Sequence, residues 1–301
     1  MKTLSITIVF TLIISGILKA QEALPLIVTE DSLTTANTIV PGISVIIPEV
    51  EADNTIENWI KVLETGTRSK VVNEDGEMSI FGANIKDISE NPVNVYSTFS
   101  ETEDGVFLNA AFELKKDVFI ESVTGASELS KAKSFMLEFG KEQYIKVAEE
   151  QLKTEENKLR DLEKEVRSLE RDQSGMERTI VRSNRTIADE RERLISLNNE
   201  LTSITGSLAD EQIQLTTIED EALREEKEDY IKSLEKDKKR TTRAISRSEK
   251  KLSKAERAIE KASNAIPRND RIQSKYKDEI DAQTAIVQSY LDKLNTIKGY
   301  Q

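Results

Sequence analysis

Glu49, Glu51 and Asp53 alternate at the two-residue period of a strand, and Glu101, Glu103 and Asp104 crowd a second short segment. Carboxylates held in pairs can act as general acid and general base, or share a hard cation such as calcium. The first set has no calcium-loop spacing, and the second falls where solvated turn residues belong. Thr65-Gly66-Thr67-Arg68-Ser69-Lys70 is the only phrase resembling a phosphate loop. It lacks the two-glycine spacing and the Gly-Lys-Ser/Thr ending, so it reads as a helix stop followed by a polar turn. The basic stretch Lys236-Asp237-Lys238-Lys239-Arg240 has no interleaved aromatics and reads as solvated or paired within the chain. With no Cys and no His anywhere, a thiol nucleophile, a disulfide frame, a zinc site and a His general base all lack their atoms. We therefore name no catalytic, cofactor-binding or metal-ligating residue, expect no cofactor, and expect a protein that is not an enzyme.

The elements that must position these residues fall into regions of different charge. The 301 residues carry a net charge of -12 with only 5% aromatics and 33% charged residues, which argues against one large globular core. Residues 21–125 hold 19 acidic and 6 basic groups, while residues 126–301 hold 36 and 35. That step sets a domain boundary near Gly125. So acidic a first region disfavours nucleic acid and anionic membranes as partners. Ahead of it, Lys2, the apolar run Leu4 to Leu18 and Ala20 before Gln21 fit a cleaved secretory signal over 1–20. The run is too short for a bilayer span, which needs about twenty residues, so no integral span is expected after cleavage. The expected location is periplasmic or secreted.

Residues 21–125 read as an acidic α+β domain. Residues 21–40 carry few signals and read as an extended lead-in. Ile43 to Ile47 suits a strand, and Ile56, Trp59, Ile60 and Leu63 recur at helical spacing. The pair Asn54 and Glu57 has capping-box spacing and Gly66 is a stop, giving a helix over about 54–65. Asp75-Gly76 and Asp104-Gly105 are tight-turn dipeptides between short apolar runs. Val106, Leu108, Ala110, Phe112 and Leu114 share one face of a strand, and Val93, Val95 and Phe99 line its neighbour. One antiparallel sheet with one covered face follows, in the order strand, helix, then about four strands.

After residue 126 the period changes. Leu129, Ala132, Phe135, Met136 and Phe139 form a helical stripe suited to dock on the sheet. A seven-residue repeat then runs from Leu152 to Leu215, and a second register from Ile231 to Leu294, which signals a coiled coil. Few charges and several poor helix formers place the turn of a hairpin near 198–209. Leu201 and Leu208 keep step across Gly206, which argues for continuity there. Folding near residue 204 sets the acidic segment 210–229 (net -7) against 178–197 (net +2), and the basic segment 230–261 (net +7) against 146–177 (net -3). Ile266-Pro267 predicts a break near 264–269, followed by a short C-terminal helix. The fold class is thus a small antiparallel sheet with one helix, a long coiled-coil hairpin and a short C-terminal helix, with 126–301 as the coiled-coil region.

This layout resembles exported bacterial envelope coiled-coil proteins of unknown function. More distantly, it is similar in architecture to the Skp-like periplasmic chaperones, which pair a small β body with helical hairpins. The charge-blocked coil also invites comparison with chromosome-organising ATPases, whose two nucleotide half-sites are missing here. The resemblance implies a structural or protein-interaction factor, with the coil as spacer and assembly arm and the acidic domain as docking site. Its partners would be other proteins or a second copy, not nucleic acid. The alternatives are a holdase chaperone and, third, a carboxylate- or metal-dependent enzyme with an acid-lined pocket within 40–115.

Overall fold

The computed structural model describes residues 22–35, 38–74, 76–123 and 125–301; the expected signal segment 1–20 lies outside them. The chain forms two compact units, one comprising residues through Arg160 with Asp281–Gln301, the other Asp161–Ile280. The elements are β1 (Val28–Thr34), β2 (Ile39–Pro48), α1 (Ala52–Glu64), β3 (Val72–Glu74), β4 (Glu77–Ala83), β5 (Val93–Glu101), β6 (Gly105–Lys115), β7 (Val118–Phe119), α2 (Ala126–Leu215) and α3 (Glu221–Lys298).

In the first unit the strands form an antiparallel sheet ordered β1-β2-β6-β5-β4-β3, with β7 beside β6. Alternation decides its faces. Ile43, Val45, Ile47, Ile80, Val93, Val95, Leu108, Ala110 and Phe112 point inward and are almost fully buried. Trp59 and Leu63 of α1, Leu129, Ala132, Met136 and Phe139 of α2, and Leu294 and Ile297 of α3 cover them. The Trp59 ring meets Phe139 edge-on at 4.8 Å and Phe135 at 5.8 Å. Its indole N–H donates to Ser97 Oγ at 2.9 Å, so the one polar atom of that side chain is satisfied inside the core.

The first unit departs from two local expectations. Residues 28–34 are not lead-in but an edge strand, so two strands precede the helix. Of that strand only Leu33 is buried, packing with Val40 and Ala111 on the opposite face. Its remaining side chains are mostly polar, so alternation carries little hydrophobic signal. The helix begins at Ala52, with Glu51 as its N-cap. No capping box forms: Asn54 donates its amide to Glu51 Oε2 at 3.2 Å, and Thr55 bonds the Glu51 carbonyl through both its N–H and its hydroxyl.

In the second unit α2 and α3 run antiparallel as a hairpin with arms of about 80–90 Å at 1.5 Å per residue. Cross-helix bonds fix the register. Gln273 donates to Gln173 Oε1 at 2.7 Å, Asn269 to the Leu169 carbonyl at 3.1 Å, and Thr241 to Glu200 Oε1 at 3.0 Å. Lys251 meets Glu190 Oε1 at 2.7 Å, and the Ser248 hydroxyl bonds the same carboxylate. These bonds hold the Glu190 carboxyl below the usual carboxylate range. On α3 the seam alternates large apolar residues with Thr241, Ser248, Ala255, Ala262 and Asn269, all buried. Polar layers of this kind select one register at a cost in stability.

The reversal lies at 216–220, not at 198–209. Gly206 sits inside α2 with open space where a Cβ would stand, so a low-charge stretch with one Gly is tolerated by a helix held along its seam. At the stop, both the N–H groups and the hydroxyls of Thr216 and Thr217 donate three residues back, to the carbonyls of Ile213 and Gln214. The restart comes from Asp220, whose Oδ1 accepts the N–H groups of Ala222 at 2.9 Å and Leu223 at 3.2 Å. The acidic run from Glu219 therefore begins a helix, where negative charge complements the dipole. The break at 264–269 is also absent: α3 passes through Pro267, and the segment beyond it is helical as expected but continuous with the returning arm. Proline inside a helix costs about 3 kcal/mol. Asn269 and Gln273, two and six residues on, remain docked on α2 and hold the helix together.

Candidate functional site

The acidic triplet 49/51/53 does not act as a unit. Glu49 follows β2 with φ of 60°, a left-handed conformation rare for a residue with a side chain. Its N–H donates to the Asp104 carbonyl at 2.8 Å, bringing the tip of the β5–β6 hairpin beside it. Gly105 makes that approach possible, since a Cβ there would stand 2.1 Å from the Ile47 carbonyl oxygen. The carboxylate of Glu49 is turned inward. It accepts Lys293 Nζ at 2.7 and 2.6 Å, Gln151 Nε2 at 2.9 Å and the Tyr144 hydroxyl at 3.3 Å. The Lys293 side chain is 0% exposed and that of Glu49 18%. The ammonium lies 5.8 Å from the Tyr144 ring centre and 5.9 Å from that of Tyr290. Burial first, and then the Glu49 charge, push the Tyr144 phenol up to about 12.

This is a satisfied ion pair that clamps the end of β2 to α2 and α3. A carboxylate with its lone pairs taken by a buried ammonium and two further donors is poorly placed to abstract a proton from substrate. Glu51 is engaged with Asn54, and a cleft of about 360 Å³ beside them is lined by Asn54, Asn58, Gln143, Lys146 and Glu150. Glu101, Glu103 and Asp104 lie exposed at a hairpin tip. In the phrase 65–70, Gly66 ends α1 with φ of 74°, Thr67 and Ser69 bond the carbonyls of Gly82 and Phe81, and Lys70 pairs with Glu64 at 2.6 Å. It is the polar turn expected after the helix stop. Lys236, Lys238, Lys239 and Arg240 are all exposed.

Spacing did not reveal the outer face of the sheet. A groove of about 630 Å³ lies there, with Glu74, Glu77, Tyr96, Glu113 and Asp117 among its walls. Glu113 is buried and accepts Asn94 Nδ2 at 2.7 Å, the Asp117 N–H at 2.8 Å and the Tyr96 hydroxyl at 3.3 Å. Burial, with the Glu113 charge, raises the Tyr96 phenol. The rim keeps Glu74 and Asp117 in solvent beside exposed Val72, and Phe81 stands exposed on the next strand. Alternation through β3, β4, β5 and β6 would have gathered these residues, but only with the strand order known. Among the described residues no three carboxylates converge to hold a metal ion, and no helix is long and apolar enough to cross a membrane.

No protein-family model matches the chain, and no curated protein matches it. Among solved structures it is similar to an Smc head domain with a coiled coil and joint derived from Pyrococcus yayanosii, at 13% identity and a TM-score of 0.30, over 90% of this chain and 68% of that one.

Proposed function

We propose that this chain is an exported, non-enzymatic protein-interaction factor of the bacterial envelope. In this reading the helical hairpin is its spacer and assembly arm, and the acidic sheet domain docks a partner protein. The observation that supports the docking part of this reading is the outer sheet face: an open groove edged by Glu74, Glu77 and Asp117, with exposed Val72 and Phe81 nearby. Such a surface suits a basic, partly apolar polypeptide segment. The engagement of Glu49 by Lys293 weighs against acid–base chemistry at the triplet.

A photo-crosslinking residue in place of Phe81 in the full chain, expressed in the native envelope, tests it. We expect a discrete protein adduct that disappears in Glu74→Lys/Glu77→Lys/Asp117→Lys, and a mature N-terminus near Gln21. Recovery of the chain with its first twenty residues intact in the cytosol would remove the export reading, and absence of any adduct would remove the docking one. The same exposed apolar groups favour a second reading, a holdase. It requires that the full chain suppress aggregation of an unfolded client, with suppression lost on Phe81→Ser.

A further inference from the structure

The observed turn at 216–220 changes which charges face each other in the second unit. The basic segment 230–261, net +7, lies beside 178–209, which is itself net +1. The hairpin therefore carries a cationic band that its own partner helix does not neutralise. Lys238, Lys239, Arg240, Arg243, Arg247 and Lys250 are all exposed along it. Among the described residues, the ion pairs joining the band's two helices are Lys251 with Glu190 and a 4.0 Å contact of Arg191 with Glu256. Beyond the band, the tip segment 210–229 is net -7. Glu219, Glu221, Glu225, Glu226, Glu228 and Asp229 are exposed there.

Large apolar side chains stand in solvent on both blocks. Val181 is 53% and Ile195 65% exposed on the band, and Ile213 is 66% and Leu223 57% exposed at the tip, with Tyr230 at the junction of the two. They lie off the seam that joins α2 and α3. Opposite charge and unused apolar surface thus occur on two neighbouring stretches of the same rod-like element.

We propose that two copies of this chain associate through their hairpins, antiparallel, with the acidic tip of each against the basic band of the other. Two-fold symmetry then makes both contacts at once, and each copy offers the same surface. The tip spans about 15 Å along each arm and the band about 48 Å at 1.5 Å per residue, so one tip fits within one band. The apolar residues of tip and band meet between the charges, supplying burial where the charges supply orientation. A polyanion such as nucleic acid or an anionic lipid surface would use the band alone. It would meet the acidic tip and the chain's net -12 as repulsion. The inference is independent of the partner-docking reading of the sheet domain.

The test is the solution mass of the full chain by sedimentation equilibrium at about 50 mM and about 500 mM salt, where screening lengths differ severalfold. We expect a dimer at low salt that dissociates at high salt. Glu225→Lys/Glu226→Lys/Glu228→Lys and Lys238→Glu/Lys239→Glu/Arg243→Glu should each weaken dimerisation by at least about tenfold, since the first cuts the tip from net -7 to net -1 and the second cuts the band from net +7 to net +1. Because all six residues are exposed, far-ultraviolet circular dichroism should stay at the wild-type level. An equimolar mixture of the two triple variants should recover the wild-type mass, because each reversed block then meets its complement. A monomeric wild-type chain at low salt, reversed variants that keep the wild-type mass, or a mixture that stays monomeric would each overturn the proposal. So would a monomer that binds heparin or phosphatidylglycerol vesicles through the band, which would assign the band to a polyanion.

Discussion

A buried side chain in the first unit is enclosed by a sheet and by segments of three helices, whereas one in the hairpin has a single partner helix. The core of the first unit includes Trp59, Phe112, Leu108 and Met136, all at or below 1% exposure. The best-covered large apolar side chains of the hairpin seam, Val166, Leu208 and Ile231, stay at 7–8%. Burying a large apolar side chain contributes about 1.5–3 kcal/mol, so the first unit gains much from each of a few residues. The hairpin gains less from each of many and spends several seam positions on polar layers. Stability is therefore concentrated in one body and distributed in the other, while pairing specificity is explicit in the hairpin.

The largest break in that contrast should come from Phe112→Ala, which removes a fully buried ring and should destabilise the first unit by about 3–5 kcal/mol. Hydrogen exchange should accelerate in the sheet and not at the centre of the hairpin. Lys293→Met should cost about 3 kcal/mol in the same unit by leaving Glu49 without its counter-charge, and the double change Glu49→Met/Lys293→Met should recover part of that loss in a denaturant titration. The opposite sign is expected for Pro267→Ala, which should stabilise the hairpin by up to about 3 kcal/mol and raise its melting temperature.

Alkaline pH sharpens the contrast. The folded first unit holds the Tyr144 proton more tightly than the unfolded chain does, with about 12 against 10.0. The stability this supplies is whole below pH 10 and falls as pH climbs toward 12, by about 1.4 kcal/mol per pH unit. Tyr144→Phe should flatten that part of the pH–stability curve. The smallest effect, about 1 kcal/mol, is expected from Asp220→Ala, which removes the cap that restarts α3, read as faster exchange at the Ala222 and Leu223 amides.

Legibility in the sequence followed the same division. The alternation of Val106 to Phe112, the stripe of Trp59 and Leu63 and the heptads through Leu215 each report burial repeated at a fixed period, and each corresponds to an observed element. β1 was not legible because an edge strand with one buried residue has no period to show. The reversal falls where a cap stands, at 216–220, and not where charge density is low. The Leu201 to Leu208 step already indicated continuity, and the two threonines followed by Asp220 held the local signal. The Glu49–Lys293 pair joins residues 244 apart, a separation at which spacing carries no information.

The chain's single tryptophan, Trp59, lies sealed in the first unit against Phe135 and Phe139. Its intrinsic fluorescence is consequently a label already placed in one body and missing from the other. An emission red-shift and exposure to acrylamide quenching would report opening of the sheet domain alone, while the hairpin could come apart without changing the colour of the emitted light.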